Sequence, residues 1–112
     1  MLIDHRVYSC RPGTIKLHLK LYEDYGYKAQ SRHLGAPLLY AATETGDPNS
    51  YIHVWVYENA GDREAKRKAL AADPEWAEYL KKSREAGYLV RQQNSLVTPV
   101  GFAPEPKKVP AG

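Results

Sequence analysis

Between Tyr51 and Trp76 an alternating strand runs directly into a charged helical segment, and this stretch limits the possible folds more than any other. In Tyr51-Ile52-His53-Val54-Trp55-Val56-Tyr57, a period of two sends Tyr51, His53, Trp55 and Tyr57 to one face and Ile52, Val54 and Val56 to the other. The second set is ordinary aliphatic core. The first carries rings with polar tips, a surface suited to a lined cavity, a subunit interface or a stacking platform.

The rest of the chain supplies elements to go with this strand. Leu2 to Cys10 alternates as a first strand, stopped by Arg11-Pro12-Gly13. Thr14 then reads as an N-cap, and Ile15, His18, Leu19, Tyr22, Tyr25, Gly26 and Ala29 recur at helical spacing, predicting one amphipathic helix that fades near Gly35. Ala36 to Thr45 is a second strand, joined through the turn Gly46-Asp47-Pro48-Asn49 to the third, Ser50 to Tyr57. Asn59 and Asp62 form a capping pair for a helix through Ala72, and Asp73-Pro74 restarts a second piece anchored by Trp76, Tyr79 and Leu80. Gly87 closes it, and Tyr88 to Thr98 is a last strand ended by Pro99.

Strand, helix, strand, strand, helix, strand is the ferredoxin-like α+β order: a four-stranded antiparallel sheet with its helices on one face and strands one and three central. Residues 1–102 form that domain, and the Pro- and Lys-rich stretch 103–112 reads as a flexible tail. Helices cover only one face of such a sheet. The expectation is that Ile52, Val54 and Val56 meet them, so that Tyr51, His53, Trp55 and Tyr57 point away. Asp4, Arg6 and Tyr8 of the first strand are placed beside those rings, and Asp4 or Glu44 is the acid expected to pair with Arg6. Two such faces packed about a two-fold axis make a dimeric α+β barrel.

Composition narrows the function classes. With 16 basic and 13 acidic residues the net charge is only +3, and the basic run Arg63, Lys66, Arg67 and Lys68 is interleaved with acids as on a solvated helix face. No apolar run approaches a membrane span, and the start of the chain turns charged too soon for a signal peptide, so a cytoplasmic protein is expected. The lone Cys10 has no disulfide partner. His5, His18, His33 and His53 show no metal-ligand spacing, no glycine loop cradles phosphate, and no nucleophile signature appears, so no metal or cofactor is expected. RNA-recognition modules share this element order, but the basic-glycine-aromatic pattern they need is missing, and no nucleic-acid partner is expected.

The run Ile52-His53-Val54-Trp55-Val56-Tyr57, then Asp62-Arg63-Glu64, Lys66-Arg67 and Leu70-Ala71-Ala72-Asp73-Pro74-Glu75-Trp76, with Arg6-x-Tyr8 and Arg32-His33-Leu34-Gly35, resembles the NIPSNAP family over residues 2–100. The resemblance implies a dimeric α+β barrel of ferredoxin-like subunits and no settled reaction. His5 stands where an acidic residue is common in that family. Within such a barrel, His53 is the candidate general base, Arg6 the anchor for an anionic group, and Tyr8, Trp55 and Tyr57 the walls for an aromatic body. Arg32 and His33 either cap a helix end or face a pocket mouth. The expected function is binding of a small, partly aromatic or anionic molecule. A cofactor-independent oxygenase or isomerase, by analogy with the fold, and a non-catalytic scaffolding dimer are the alternatives.

Overall fold

The sheet runs β2-β3-β1-β4, and every neighbouring pair in it is antiparallel. The computed structural model describes residues 1–107. Its elements are β1 (Leu2–Cys10), α1 (Ile15–Tyr25), α2 (Tyr27–Leu34), β2 (Leu39–Ala42), β3 (Ser50–Tyr57), α3 (Ala60–Ala71), α4 (Pro74–Ala86) and β4 (Leu89–Val97). The ferredoxin-like order read from the sequence is the order observed, with β1 and β3 central. Residues 103–107 of the expected tail are neither helix nor strand, and 108–112 lie outside the described residues.

Local chemistry sets the element ends. The Asn59 side chain accepts from the Asp62 N–H to open α3, and Asp73 accepts from the Glu75 N–H to open α4, with Pro74 in the first turn. Gly87 ends α4 at φ 66°, a left-handed conformation that glycine adopts without steric cost. The single first helix expected from the periodicity is instead two, broken at Gly26. A Cβ at that position would lie 2.8 Å from Tyr22 Cδ1 and 3.0 Å from Tyr79 Cδ1, so the missing side chain lets α1 approach α4. β2 is also shorter than expected, and only Leu39–Ala42 pairs with β3.

The facing of the sheet is a correction to the sequence reading. Tyr51, Trp55 and Tyr57 are each 1 % exposed and His53 is 3 % exposed, covered by the chain's own helices. Trp55 and Tyr57 form the core cluster with Leu34 of α2 and Leu70 of α3. The register of β1 is as expected, since Asp4, Arg6 and Tyr8 pair with Trp55, His53 and Tyr51 and share their face. Both strands therefore present the expected sets, but with the aromatic set inward. The reason is volume: the space between a sheet and two helix pairs takes large rings, whose burial contributes roughly 2–3 kcal/mol each. Inside the fold the Tyr51 hydroxyl meets His18 Nε2 and the Trp55 N–H meets His53 Nδ1. The open face instead carries Ile3, Val7, Leu39, Ile52, Val54, Val56 and Val97, with no helix over it.

Candidate functional site

A cavity of about 460 Å³ lies between the sheet and the α1/α4 side of the helical layer. Tyr8, Tyr40, Tyr51 and His53 form its floor on the strands, while Tyr22, Gln30 and Tyr79 close it from the helices. Trp76, Leu80, Ser83 and Arg84 follow one face of α4 along the same space. Its inner end is the buried group of Tyr51, His53, Tyr22 and Gln30, and its outer end is the exposed stretch from Arg84 and Gly87 to Val90. Among the described residues no carboxylate lines it.

His53 is the most constrained group in this cavity. The indole N–H of Trp55 donates to His53 Nδ1 at 2.8 Å, and an indole nitrogen can only donate, so the imidazole proton resides on Nε2. That Nε2 is buried without a hydrogen-bond partner among the described residues. Burial first, and then the nearby Arg6 cation, push the His53 pKa down to about 3, and the ring is neutral at physiological pH. Tyr8 meets it edge-to-face at a centroid distance of 4.6 Å, and Tyr40 stacks on it at 4.9 Å.

A line of polar tips borders the same space. His18 Nε2 and the Tyr51 hydroxyl are 2.7 Å apart, and the Tyr22 hydroxyl donates to Gln30 Oε1. Tyr40 stacks between these two, 5.7 Å from Tyr51 and 4.8 Å from Tyr22, and its hydroxyl interacts with both. Burial raises the pKa of Tyr22, Tyr40 and Tyr51, that of Tyr79 to about 12, and lowers that of His18 to about 4. The whole group is uncharged at neutral pH.

The β3–β1–β4 centre next to the cavity is ionic. Asp4, fully buried, accepts from Arg6 Nε at 3.1 Å and Nη2 at 3.0 Å, from Arg63 Nε at 3.1 Å and from Asn94 Nδ2 at 3.4 Å. Burial works to raise its carboxyl pKa, but Arg6 and Arg63 together outweigh it and hold the group below the usual carboxylate range. A third donor of Arg6, Nη1, reaches the Tyr8 hydroxyl at 2.7 Å. Tyr8 thus links the charged cluster to the cavity wall.

Of the residues singled out in the sequence, Tyr8 and His53 line the cavity. Arg6 stands behind Tyr8, bound to Asp4 as expected. Trp55 acts on the site through His53, and Tyr57 is core, with Lys66 Nζ 5.9 Å from its ring centroid. Arg32 and His33 are elsewhere: Arg32 donates to Asp73 and Glu75 at 2.9 and 3.0 Å, and His33 Nε2 lies 2.8 Å from Asp73, so both fasten α2 to the start of α4. Arg63, read from the sequence as part of a solvated basic helix face, reaches Asp4. Sequence reasoning missed Tyr22, Tyr40, Tyr79 and Gln30 as cavity residues, and it took Trp76 for a plain core anchor. The available signal was the abundance of tyrosine, nine in all, with Tyr22 and Tyr79 on the inward stripes of their helices. Among the described residues no His, Cys, Asp and Glu cluster could hold a metal ion, and no helix is long and apolar enough to cross a membrane.

A ferredoxin-like α+β domain with a hollow between sheet and helices is the class these features define. The NIPSNAP family model matches residues 3–104, and the chain belongs to the NIPSNAP family. It is similar to an Agrobacterium tumefaciens protein of known X-ray structure, with 34% identity, 93% of this chain and 98% of that one covered, and a TM-score of 0.85. An uncharacterized NIPSNAP domain protein from Burkholderia xenovorans is similar at 30% identity, with 94% and 100% covered and a TM-score of 0.84. A putative antibiotic biosynthesis monooxygenase from Nitrosomonas europaea, 8% identical with 89% and 99% covered and a TM-score of 0.64, shares the fold. No curated protein sequence matches.

Proposed function

We propose that this NIPSNAP protein is a cytoplasmic homodimer that holds a small, aromatic-bodied molecule in the tyrosine-lined cavity. The observation that carries the reading is a space of about 460 Å³ walled by the rings of Tyr8, Tyr22, Tyr40, Tyr51, His53, Trp76 and Tyr79. The volume falls within the range typical of small-molecule sites, roughly 300–1,000 Å³. Holding suits the geometry better than proton abstraction: Trp55 occupies one nitrogen of His53 and the proton occupies the other, so His53 serves as a donor in place of the base first assigned to it.

The dimer rests on the opposite side of the sheet from the one first expected. Val54 and Val56 are 7 % exposed and flanked by the half-open Ile3, Val7 and Ile52, with Leu39 and Val97 more than two-fifths exposed at the edges. An aliphatic patch of this kind, bordered on the same face by the polar His5, Gln93 and Ser95, is what face-to-face packing of two copies covers. An RNA-binding platform has lost its basis, because the rings it would offer are under the helices.

Thermal-shift screening of aromatic compounds, compared with a Leu80→Trp variant that fills the outer cavity, tests the binding reading. Wild type gains several degrees in Tm at saturating ligand, and the variant gains none. Equal shifts in the two proteins would place binding elsewhere and defeat the reading. Sedimentation at micromolar concentration tests the assembly: dimers are expected, and single chains alone would remove it.

A further inference from the structure

Resting on the cavity reading above, we infer that the ligand is an aromatic carboxylic acid, held ring-inward with its carboxylate at the mouth on Arg84. The inner end offers little to a charged group. Tyr8 accepts from Arg6 Nη1 at 2.7 Å, Tyr22 donates to Gln30, Tyr51 meets His18, Tyr40 interacts with Tyr22 and Tyr51, and Tyr79 interacts with Ser83. The hydroxyls are engaged with one another and with the fold, and what they leave to a ligand is ring surface. Arg6, the cation behind Tyr8, is held by Asp4. A carboxylate placed at this end would lose its hydration with no cation to replace it.

The mouth differs in chemistry. Trp76, Leu80 and Arg84 recur every four residues along α4, so one stripe of the helix passes from ring to aliphatic chain to guanidinium toward the outer end. Arg84 is exposed, and its side chain makes no hydrogen bond or ion pair among the described residues. Arg6, Arg32 and Arg63, by contrast, each hold a carboxylate. Arg91 of β4 borders the same cavity, and among the described residues no carboxylate lines it. The C-terminal end of α4 would by itself repel an anion, but Arg11 offsets it by donating to the carbonyls of Gly87 at 2.7 Å and Ala86 at 3.4 Å. Positive charge therefore gathers at the end of the cavity where a carboxylate stays hydrated while a guanidinium holds it through two parallel hydrogen bonds.

Calorimetric titration of the full-length protein with naphthylacetic acid, its amide and naphthylethylamine at low ionic strength tests the inference, because acid and amide differ only in the group at one end. The acid is expected to bind about fivefold tighter than the amide, the worth of one accessible ion pair with good geometry, and the amine is expected to bind weakest. Raising the salt to about 1 M is expected to erase most of the difference between acid and amide. Arg84→Gln is expected to bring the acid to the level of the amide, whereas Lys81→Gln, which removes an exposed charge of α4 that does not line the cavity, keeps the preference. The comparison of acid with amide in the wild type needs no variant to fold. Equal binding of acid and amide, or a preference that survives Arg84→Gln, overturns the inference and leaves the cavity reading standing. Binding of none of the three overturns both.

Discussion

The two faces of the sheet contrast in chemistry and in cover. The helix-covered face holds a buried carboxylate, two arginines, two neutral histidines and a set of tyrosines, most of them bonded to a specific partner. The open face holds aliphatic side chains from β1, β2, β3 and β4, with His5, Gln93 and Ser95 among them, aligned by strand register alone. Polar groups under cover commit the fold to one arrangement, because each must find its partner or cost free energy. Aliphatic groups make no such demand and can accept any matching apolar surface. On the proposed function, specificity for a ligand lies on one side of the sheet and association on the other.

Substitutions can break that contrast, and Asp4 should break it most. Asp4→Ala leaves Arg6 and Arg63 buried or half-buried without their shared anion, and a loss of about 3–5 kcal/mol in urea-denaturation stability is expected. A loss below 1 kcal/mol would mean that the cluster is solvated and that the covered face is less specified than the hydrogen bonds imply. Acid acts on the same face. His18 and His53 have folded pKa values of about 4 and about 3, against 6.5 for the free side chain. The unfolded chain therefore binds more protons between those limits. Their contribution to stability is complete above roughly pH 6.5, falls as pH drops toward 4 for His18 and 3 for His53, and levels off below. Denaturant midpoints measured from pH 7.5 to 4 should fall steadily, and a flat profile would contradict the burial of both rings.

Smaller effects sharpen the comparison. Tyr51→Phe removes the hydroxyl facing His18 Nε2 and leaves both of that ring's nitrogens unpartnered, since Nδ1 already lacks a partner among the described residues. A cost of about 1–3 kcal/mol is expected. On the other face, Ile52→Lys should change the stability of the single chain by only about 0.5 kcal/mol, as at an ordinary surface position. The same change should abolish the proposed dimer in sedimentation. If Ile52→Lys destabilised the chain as much as Tyr51→Phe, the division of labour between the faces would be lost.

Most of the topology was legible in the sequence because it depends on local rules. Asn59, Asp73, Pro74 and Gly87 mark helix ends through chemistry within a few residues, and the period of two sorted the β3 side chains correctly into sets. Which set faces inward is a question of volume between layers, and a strand's own pattern carries no information about that. Gly26 likewise looked like one more small residue on a helical stripe, because the reason for it, the Tyr79 ring, lies more than fifty positions away in sequence. At the site, Arg6-x-Tyr8 and His53-x-Trp55 were recognisable pairs, but the direction of the Trp55–His53 hydrogen bond, and with it the role of the imidazole, required coordinates. Arg32 and His33 were read as one unit, and they do act as one, although on Asp73.

The Asp4 junction also bears on how anything enters the hollow. One carboxylate rivets β1, β4 and α3 together, whereas along α4 the cavity is bordered by ring contacts and by the exposed side chains of Leu80 and Arg84. The α3 end of the helical layer is tied to the sheet through one buried anion, and the mouth of the hollow lies along α4, away from that tie.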